Sequence, residues 1–155
     1  MERIIVGVDG SQPSRVALAW AVGLARDLEA DLVVLRVTDD VHTAAQKGFC
    51  TPSQADEWAA EARSSGLADL RRMLAEVGEG PDEDEVELDV VPGQPAEVLL
   101  DRSRDADLLV LGPRGLGRLR GLLGSVSRTC LDNAVCPVTI VPEVTTTAPE
   151  AQTDV

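Results

Sequence analysis

The chain is poor in residues that several functional classes require. It has one histidine (His42) and one lysine (Lys47), and its three cysteines (Cys50, Cys130 and Cys136) form no CxxC pair. These shortages exclude a Cys/His zinc site and a histidine-based catalytic triad. They also exclude a Walker A loop, which ends in Gly-Lys-Ser/Thr. Scattered cysteines of this kind are typical of buried, inert thiols.

Charge and aromatic content exclude further classes of function. The formal net charge is -13, and the aromatic residues are two tryptophans and one phenylalanine. An acidic chain with so few rings lacks the basic face and the stacking platforms of a nucleic-acid binder. No apolar run approaches the roughly 18 residues of a membrane helix, and the opening MERIIVGVDG does not resemble a signal peptide. We therefore predict a cytoplasmic protein that binds neither nucleic acid nor membrane.

The order of apolar runs and turn residues predicts a single α/β domain. Four of the five predicted strands are nearly pure Val, Ile and Leu, which is typical of parallel strands covered by helices on both faces. The fold class is therefore a doubly wound five-stranded parallel sheet. Ser53, with Asp56 three residues later, predicts the cap of the second helix. We expect a domain at 1–142 and a disordered tail at 143–155. The predicted strands are 3–8, 31–37, 86–91, 107–111 and 137–141, and the predicted helices are 11–29, 53–77, 95–104 and 125–133.

One loop concentrates glycine and positive charge. Residues 111–128, LGPRGLGRLRGLLGSVSR, hold five glycines and four arginines and no acidic residue. The loop follows the fourth predicted strand and enters a helix at GSVS, where free backbone N–H groups and the helix dipole favour an anion. Glycines let the backbone approach a phosphate closely. The loop is predicted to hold a polyphosphate, with a plain flexible connector as the alternative.

The sequence resembles the universal stress protein family in its nucleotide-binding branch. The resemblance covers residues 1–142, and its recurrent segments include VGVDGS, DLVVLRV, GQPAEVLL, ADLLVLG and CPVTIV. The family pattern G-x2-G-x9-G-[S/T] matches Gly112, Gly115 and Gly124-Ser125, except that eight residues rather than nine separate Gly115 from Gly124. The family fold is Rossmann-like with sheet order 3-2-1-4-5.

The resemblance implies a cofactor and its contacts. ATP is expected, with any Mg²⁺ held mainly by its phosphates. Asp9 corresponds to the acidic residue that contacts the ribose, with Gly7 and Val8 on the same wall, and Val37 to the residue whose backbone meets the adenine. The phosphate loop is implied to begin at Leu111, Gly112 and Gly115 and to end at Gly124, Ser125, Val126 and Ser127.

Three functions fit these observations. The first is a stress-response sensor or regulator that binds ATP with little or no hydrolysis, because no nucleophile–base pair is apparent. The second is an interaction module of the same fold with a degenerate pocket, which the short spacer before Gly124 keeps open. The third is a hydrolase, against which the lack of His and Cys at the site weighs. The apolar last strand, residues 138–141 from Val138 to Val141, predicts a homodimer because a bare edge strand is a pairing hazard.

Overall fold

The structure is a computed structural model that describes residues 1–78, 83–115 and 122–143. Two arginines of the glycine-rich loop, Arg118 and Arg120, lie outside these ranges, as does the predicted tail from residue 144 onward. The strands are β1 (Arg3–Gly7), β2 (Asp31–Thr38), β3 (Val86–Pro92), β4 (Leu108–Leu111) and β5 (Val138–Ile140). The helices are α1 (Gln12–Leu28), α2 (Val41–Gln46), α3 (Pro52–Val77), α4 (Pro95–Arg102) and α5 (Ser125–Asn133), with 3-10 turns at Glu83–Glu85 and Ser103–Asp105.

The five strands form one parallel sheet in the order β3-β2-β1-β4-β5. The central strand β1 places Ile4 opposite Leu32 on one side and Leu108 on the other. The strand order reverses between β1 and β4, where such sheets bind ligands beyond their carboxyl ends. The predicted fold class and sheet order are confirmed.

The sheet separates two apolar clusters because successive side chains of a strand point to opposite faces. One cluster joins alternate strand residues such as Ile4, Val6 and Val34 to the buried faces of α1 and α3. The other joins Ile5, Val33, Leu109 and Leu111 to α4 and α5. Helices on both faces explain why the strands read as continuous apolar runs rather than as alternating patterns.

One local prediction differs from the structure, and one helix was not predicted. Helix α3 is capped by Thr51, whose hydroxyl accepts from Gln54 N at 3.2 Å while the Gln54 side chain accepts from Thr51 N at 3.0 Å, so the predicted pair Ser53–Asp56 is wrong. Pro52 suits the first helical position, where its missing N–H costs nothing. Helix α2 lies in a segment whose composition predicts no element, and Asp40 caps it. Within the described ranges, no helix is both long and apolar enough to cross a membrane.

Candidate functional site

A cleft opens at the carboxyl ends of β1 and β4, at the reversal of the strand order. Its floor is apolar, with Leu35 and Leu99 from the second core cluster. One of its walls is the turn after β1 and another is the loop after β4. Between them these parts supply the following lining residues: Gly7, Val8, Asp9, Ser14, Leu35, Val37, Pro95, Leu99, Leu111, Gly112, Arg114, Gly115, Val126 and Ser127.

The turn after β1 is fixed by its own side chains. Asp9 Oδ1 accepts a hydrogen bond from Ser11 N at 2.9 Å, and Gly10 takes the left-handed conformation with φ of 84°. Ser11 caps α1 by accepting from Ser14 N at 3.3 Å. The Ser14 hydroxyl donates to Ser11 O at 2.9 Å and accepts from Asp9 N at 3.4 Å. This network leaves Asp9 exposed at the mouth of the cleft, with its second carboxylate oxygen close to Gly115.

The loop after β4 is pinned at both of its ends. Gly124 N donates to Pro113 O at 2.7 Å, and the Ser127 hydroxyl donates to Gly112 O at 2.7 Å. A Cβ at position 112 would lie 3.0 Å from the backbone carbonyl of Pro13, so only glycine lets the loop pass this close to α1. The start of the loop and the first turn of α5 therefore form one rigid unit beside the cleft.

Gly115 brings this loop against the turn after β1. A Cβ at position 115 would lie 2.5 Å from Asp9 Oδ2, a distance that real Cβ atoms do not reach. Glycine is therefore required if the Asp9 carboxylate is to rest on the loop backbone. The contact joins two of the predicted site residues, one from each side of the strand-order reversal.

The first turn of α5 presents unused backbone donors. Its N-cap is Gly124, which has no side chain to accept from the first-turn N–H groups. Between described residues, no hydrogen bond engages the N–H groups of Ser125, Val126 or Ser127. Ser125 is exposed, whereas Val126 and Ser127 line the cleft. These groups and the helix dipole make the end of the cleft attractive to an anion.

The positive charge of Arg114, at this end of the cleft, is already paired. Arg114 Nη2 donates to Glu143 Oε2, and the two side chains are 13% and 24% exposed. Glu143 follows β5 and is the first residue of the predicted tail. Arg114 is one of the four arginines of the glycine-rich segment 111–128. The structure places it in the cleft lining and gives it a carboxylate partner.

Nine of the eleven residues predicted for the site line the cleft. The other two are Gly124, buried at the helix start, and Ser125, exposed beside it. Among the residues that the prediction missed, Leu35 lies two positions before Val37, on the same face of β2. Pro95 and Leu99 share one face of α4 because they are four residues apart. The two-residue spacing along a strand and the four-residue spacing along a helix could have identified these residues from the sequence.

The cysteines take no part in the cleft. All three are free thiols, and Cys130 is fully buried on the core side of α5. Burial, with a smaller contribution from nearby Cys136, raises the pKa of the Cys130 thiol to about 11. The thiol therefore stays protonated and unreactive at neutral pH. Within the described ranges, no three His, Cys, Asp or Glu side chains are grouped so as to hold a metal ion.

Comparison with known sequences decides the family. A sequence model described as the Universal stress protein family matches residues 1–142. The chain belongs to the universal stress protein family. Among curated members, Universal stress protein Rv2623 of Mycobacterium tuberculosis is 32% identical over 152 residues, which cover 96% of this chain and 50% of that protein. Universal stress protein Rv3134c of the same species is 31% identical, over 89% of this chain and 47% of that protein. The chain thus spans about half the length of the curated family members it matches.

Solved structures of family members share the fold. Universal stress protein UspA from Lactobacillus plantarum superposes with a TM-score of 0.69 at 25% identity, over 90% of this chain and 97% of that one. A universal stress protein solved in complex with cAMP superposes with a TM-score of 0.60 at 26% identity, over 90% and 95% of the two chains. At least one similar member of the family therefore binds an adenine nucleotide.

Proposed function

We propose that this universal stress protein binds ATP in the cleft and acts as a stress-response sensor or regulator. The observation that carries the proposal is the glycine-capped first turn of α5, whose N–H groups have no partner among the described residues and lie at the end of a cleft with an apolar floor. An apolar floor suits a base, and a row of backbone donors suits phosphates. The cAMP complex of a 26% identical family member supports an adenine nucleotide as the ligand class.

The residues present fit such a ligand. Gly115 and Gly124 let the backbone lie close to its neighbours: a Cβ at position 115 would meet Asp9 Oδ2, and a Cβ at position 124 would lie 3.2 Å from Arg114 Cα. In the proposed complex Asp9 contacts the ribose, and the backbone of Val37 meets the adenine. The phosphates lie along the loop and the first turn of α5, held by backbone N–H groups and the Ser125 hydroxyl. Bound ATP supplies three phosphates, which would themselves be the main ligands of any Mg²⁺.

We propose little or no hydrolysis. Asp9 and Arg114 are the ionisable side chains among the described residues that line the cleft. The Asp9 carboxylate accepts from Ser11 N and lies close to Gly115, so we infer that it serves binding rather than activation of a water molecule. Regulation through nucleotide occupancy needs no such base.

The direct test is to identify the nucleotide that accompanies the protein. The purified protein is denatured and the released small molecules are separated by chromatography; the ligand-free protein is then titrated with ATP by calorimetry. We expect ATP binding that Gly115→Val abolishes, because its side chain would displace Asp9 or the loop. Gly23→Ala is the matched control, since a Cβ at position 23 meets nothing within 4 Å. Wild-type protein with neither co-purifying nucleotide nor a heat of binding would refute the proposal.

Specific observations favour a second function, an interaction module with a degenerate pocket. The Ser127 hydroxyl donates to Gly112 O, and Arg114 is paired with Glu143, so two polar groups near the phosphate end are already engaged. The spacer between Gly115 and Gly124 is also one residue shorter than the family pattern. This function predicts no nucleotide binding, together with normal folding of Gly115→Ala.

We also propose a homodimer formed through β5. Pro137 O accepts from Leu109 N and Val141 N donates to Leu111 O, so the backbone groups of Val138 and Ile140 alternate away from β4 toward the open edge. Ile140→Pro removes one outward N–H while sparing the bonds to β4. Sedimentation should then report a monomer, and an unchanged dimer would contradict this interface. Lysine at Val138 or Ile140 is a poorer test, because both side chains pack on the second core cluster.

The proposed compartment is the cytoplasm. Cys50, Cys130 and Cys136 are all free thiols, as expected where cellular reductants keep cysteines reduced. Fractionation of cells that produce the full-length protein would test this location.

A further inference from the structure

The pair Arg114–Glu143 is unusual among the ion pairs of this protein. Taking both partners together, it is the least exposed ion pair between described residues, at 13% and 24%, and it joins positions 29 residues apart. Most of the other pairs have at least one partner that is half-exposed or more. A charge pair withdrawn from water in this way interacts more strongly than an exposed one.

Both partners are held in place by backbone contacts. Val141 N donates to Leu111 O and so fixes the chain two residues before Glu143. On the other side, Gly124 N donates to Pro113 O, and a Cβ at position 124 would lie 3.2 Å from Arg114 Cα. Arg114 thus lies directly beside the first turn of α5, where the phosphates of the proposed ligand would be held.

The charge balance of the cleft depends on this pair. Among the described lining residues, Arg114 carries the positive charge and Asp9 the negative one. Glu143 neutralises Arg114 and leaves the lining with the charge of Asp9. Each phosphate of a nucleotide adds further negative charge near Glu143, so the cost of keeping the pair intact grows with the number of phosphates.

We propose that Glu143 is a specificity-determining residue that competes with the nucleotide phosphates for Arg114. The inference rests on the proposed binding of a nucleotide in the cleft. Glu143 lowers the affinity for phosphate-rich nucleotides and leaves the affinity for the nucleoside part unchanged. The affinity ratio between ATP and adenosine is therefore set by a residue outside the glycine-rich loop.

The test compares adenosine, AMP and ATP, titrated calorimetrically at low ionic strength into wild type and Glu143→Gln. The glutamine keeps the size of the side chain and removes its charge. We expect ATP to bind about fivefold more tightly to the variant, AMP to gain less, and adenosine to bind unchanged. Glu87→Gln, on β3, is the matched control, because it removes the same charge from an exposed pair with Arg3 and should alter none of the three affinities.

The variant Arg114→Gln completes a double-mutant cycle. Without Arg114 there is no cation to compete for, so Glu143→Gln should then improve ATP binding by less than about twofold. An equal gain with and without Arg114 overturns the competition. So does an unchanged or lower ratio of ATP to adenosine affinity in Glu143→Gln. If adenosine, AMP and ATP bind to neither protein, the proposed function fails and this inference fails with it; bound adenosine with an unchanged ratio refutes the inference alone.

Discussion

Helices α1 and α5 both begin beside the cleft, just beyond the carboxyl ends of neighbouring strands, but their first turns are built differently. At the start of α1, side chains of the protein accept from backbone N–H groups: Ser11 accepts from Ser14 N, and Asp9 accepts from Ser11 N. The first turn of α5 follows Gly124, and its N–H groups are unused between described residues. The same backbone feature therefore serves structure at one helix and is available for a ligand at the other.

The contrast follows from residue choice. Serine and aspartate at a helix start supply the oxygen that the orphan N–H groups need, which stabilises the helix but excludes an external anion. Glycine at the same position supplies none. An anion bound to α5 would therefore contribute the stabilisation that Ser11 contributes to α1.

The largest expected effect comes from forcing the loop after β4 away from the start of α1. In Gly112→Ala the new Cβ would lie 3.0 Å from the Pro13 carbonyl group of α1, so one of the two backbones must move. We expect the free energy of unfolding to fall by about 2 kcal/mol in urea titrations. Gly23→Ala, in the open middle of α1, should leave stability unchanged or raise it by up to about 1 kcal/mol. Wild-type stability in Gly112→Ala would show that the backbones at Gly112 and Pro13 are not held this close together.

The next effect separates stability from binding at α5. Ser125→Asp places a carboxylate in the first turn, where the helix dipole stabilises it by about 0.5 kcal/mol. The same charge should weaken ATP binding about tenfold, because it occupies the site of the phosphates. Ser53→Asp makes the equivalent change in the first turn of α3 and should not alter the affinity. Unaltered ATP affinity in Ser125→Asp would show that the phosphates do not bind at the first turn of α5.

Removing the cap of α1 should do the opposite. Ser11→Ala leaves Ser14 N without its acceptor and should lower the free energy of unfolding by about 1 kcal/mol. The nucleotide affinity should stay within about twofold of wild type, because Ser11 is not among the residues that line the cleft. Ser53→Ala is the control, since the cap of α3 is Thr51. A large loss of affinity with little loss of stability would mean that both helix starts bind the ligand.

The smallest expected effect concerns the body of α5, which is anchored in the core in the same way as the body of α1. Like Ala17 and Ala21 of α1, Cys130 anchors its helix by complete burial. Its pKa rises from the ordinary value of 9.0 to about 11, so above pH 9 the unfolded chain loses the thiol proton before the folded chain does. The free energy of unfolding should therefore fall as the pH rises from 9 to about 11. Urea midpoints at about pH 8 and about pH 10 should show a smaller fall in Cys130→Ala than in wild type.

The sequence predicts the parts of this molecule that repeat a local pattern. The continuous apolar strands and the bounds of α5 could be read directly, because burial on both faces and a helix start after Gly124 leave clear signatures. Helix α2 could not, because it is six residues long and none of its side chains is buried. The cap of α3 was misread because Thr51–Gln54 and Ser53–Asp56 both match the capping pattern, and the position of Pro52 was the distinguishing signal.

The residues that line the cleft could be predicted only where a short sequence motif identifies them. Resemblance to the family pointed to residues on β1, β2 and the loop after β4, and nine of the eleven lie in one cleft. The pairing of Arg114 with Glu143 was not predictable, because it joins residues that are distant along the chain and depends on where β5 ends. The engagement of the Ser127 hydroxyl by Gly112 is likewise a tertiary contact.

The bond between Gly124 N and Pro113 O has a consequence for how this site can change. Gly124 N and Pro113 O lie 2.7 Å apart, so the N-cap of α5 is tethered to the chain two residues beyond the end of β4. Loop-closure entropy grows slowly with loop length, by about 0.6 kcal/mol per doubling. Insertion or deletion of one residue between these two tethered points is therefore expected to change the stability of the fold little.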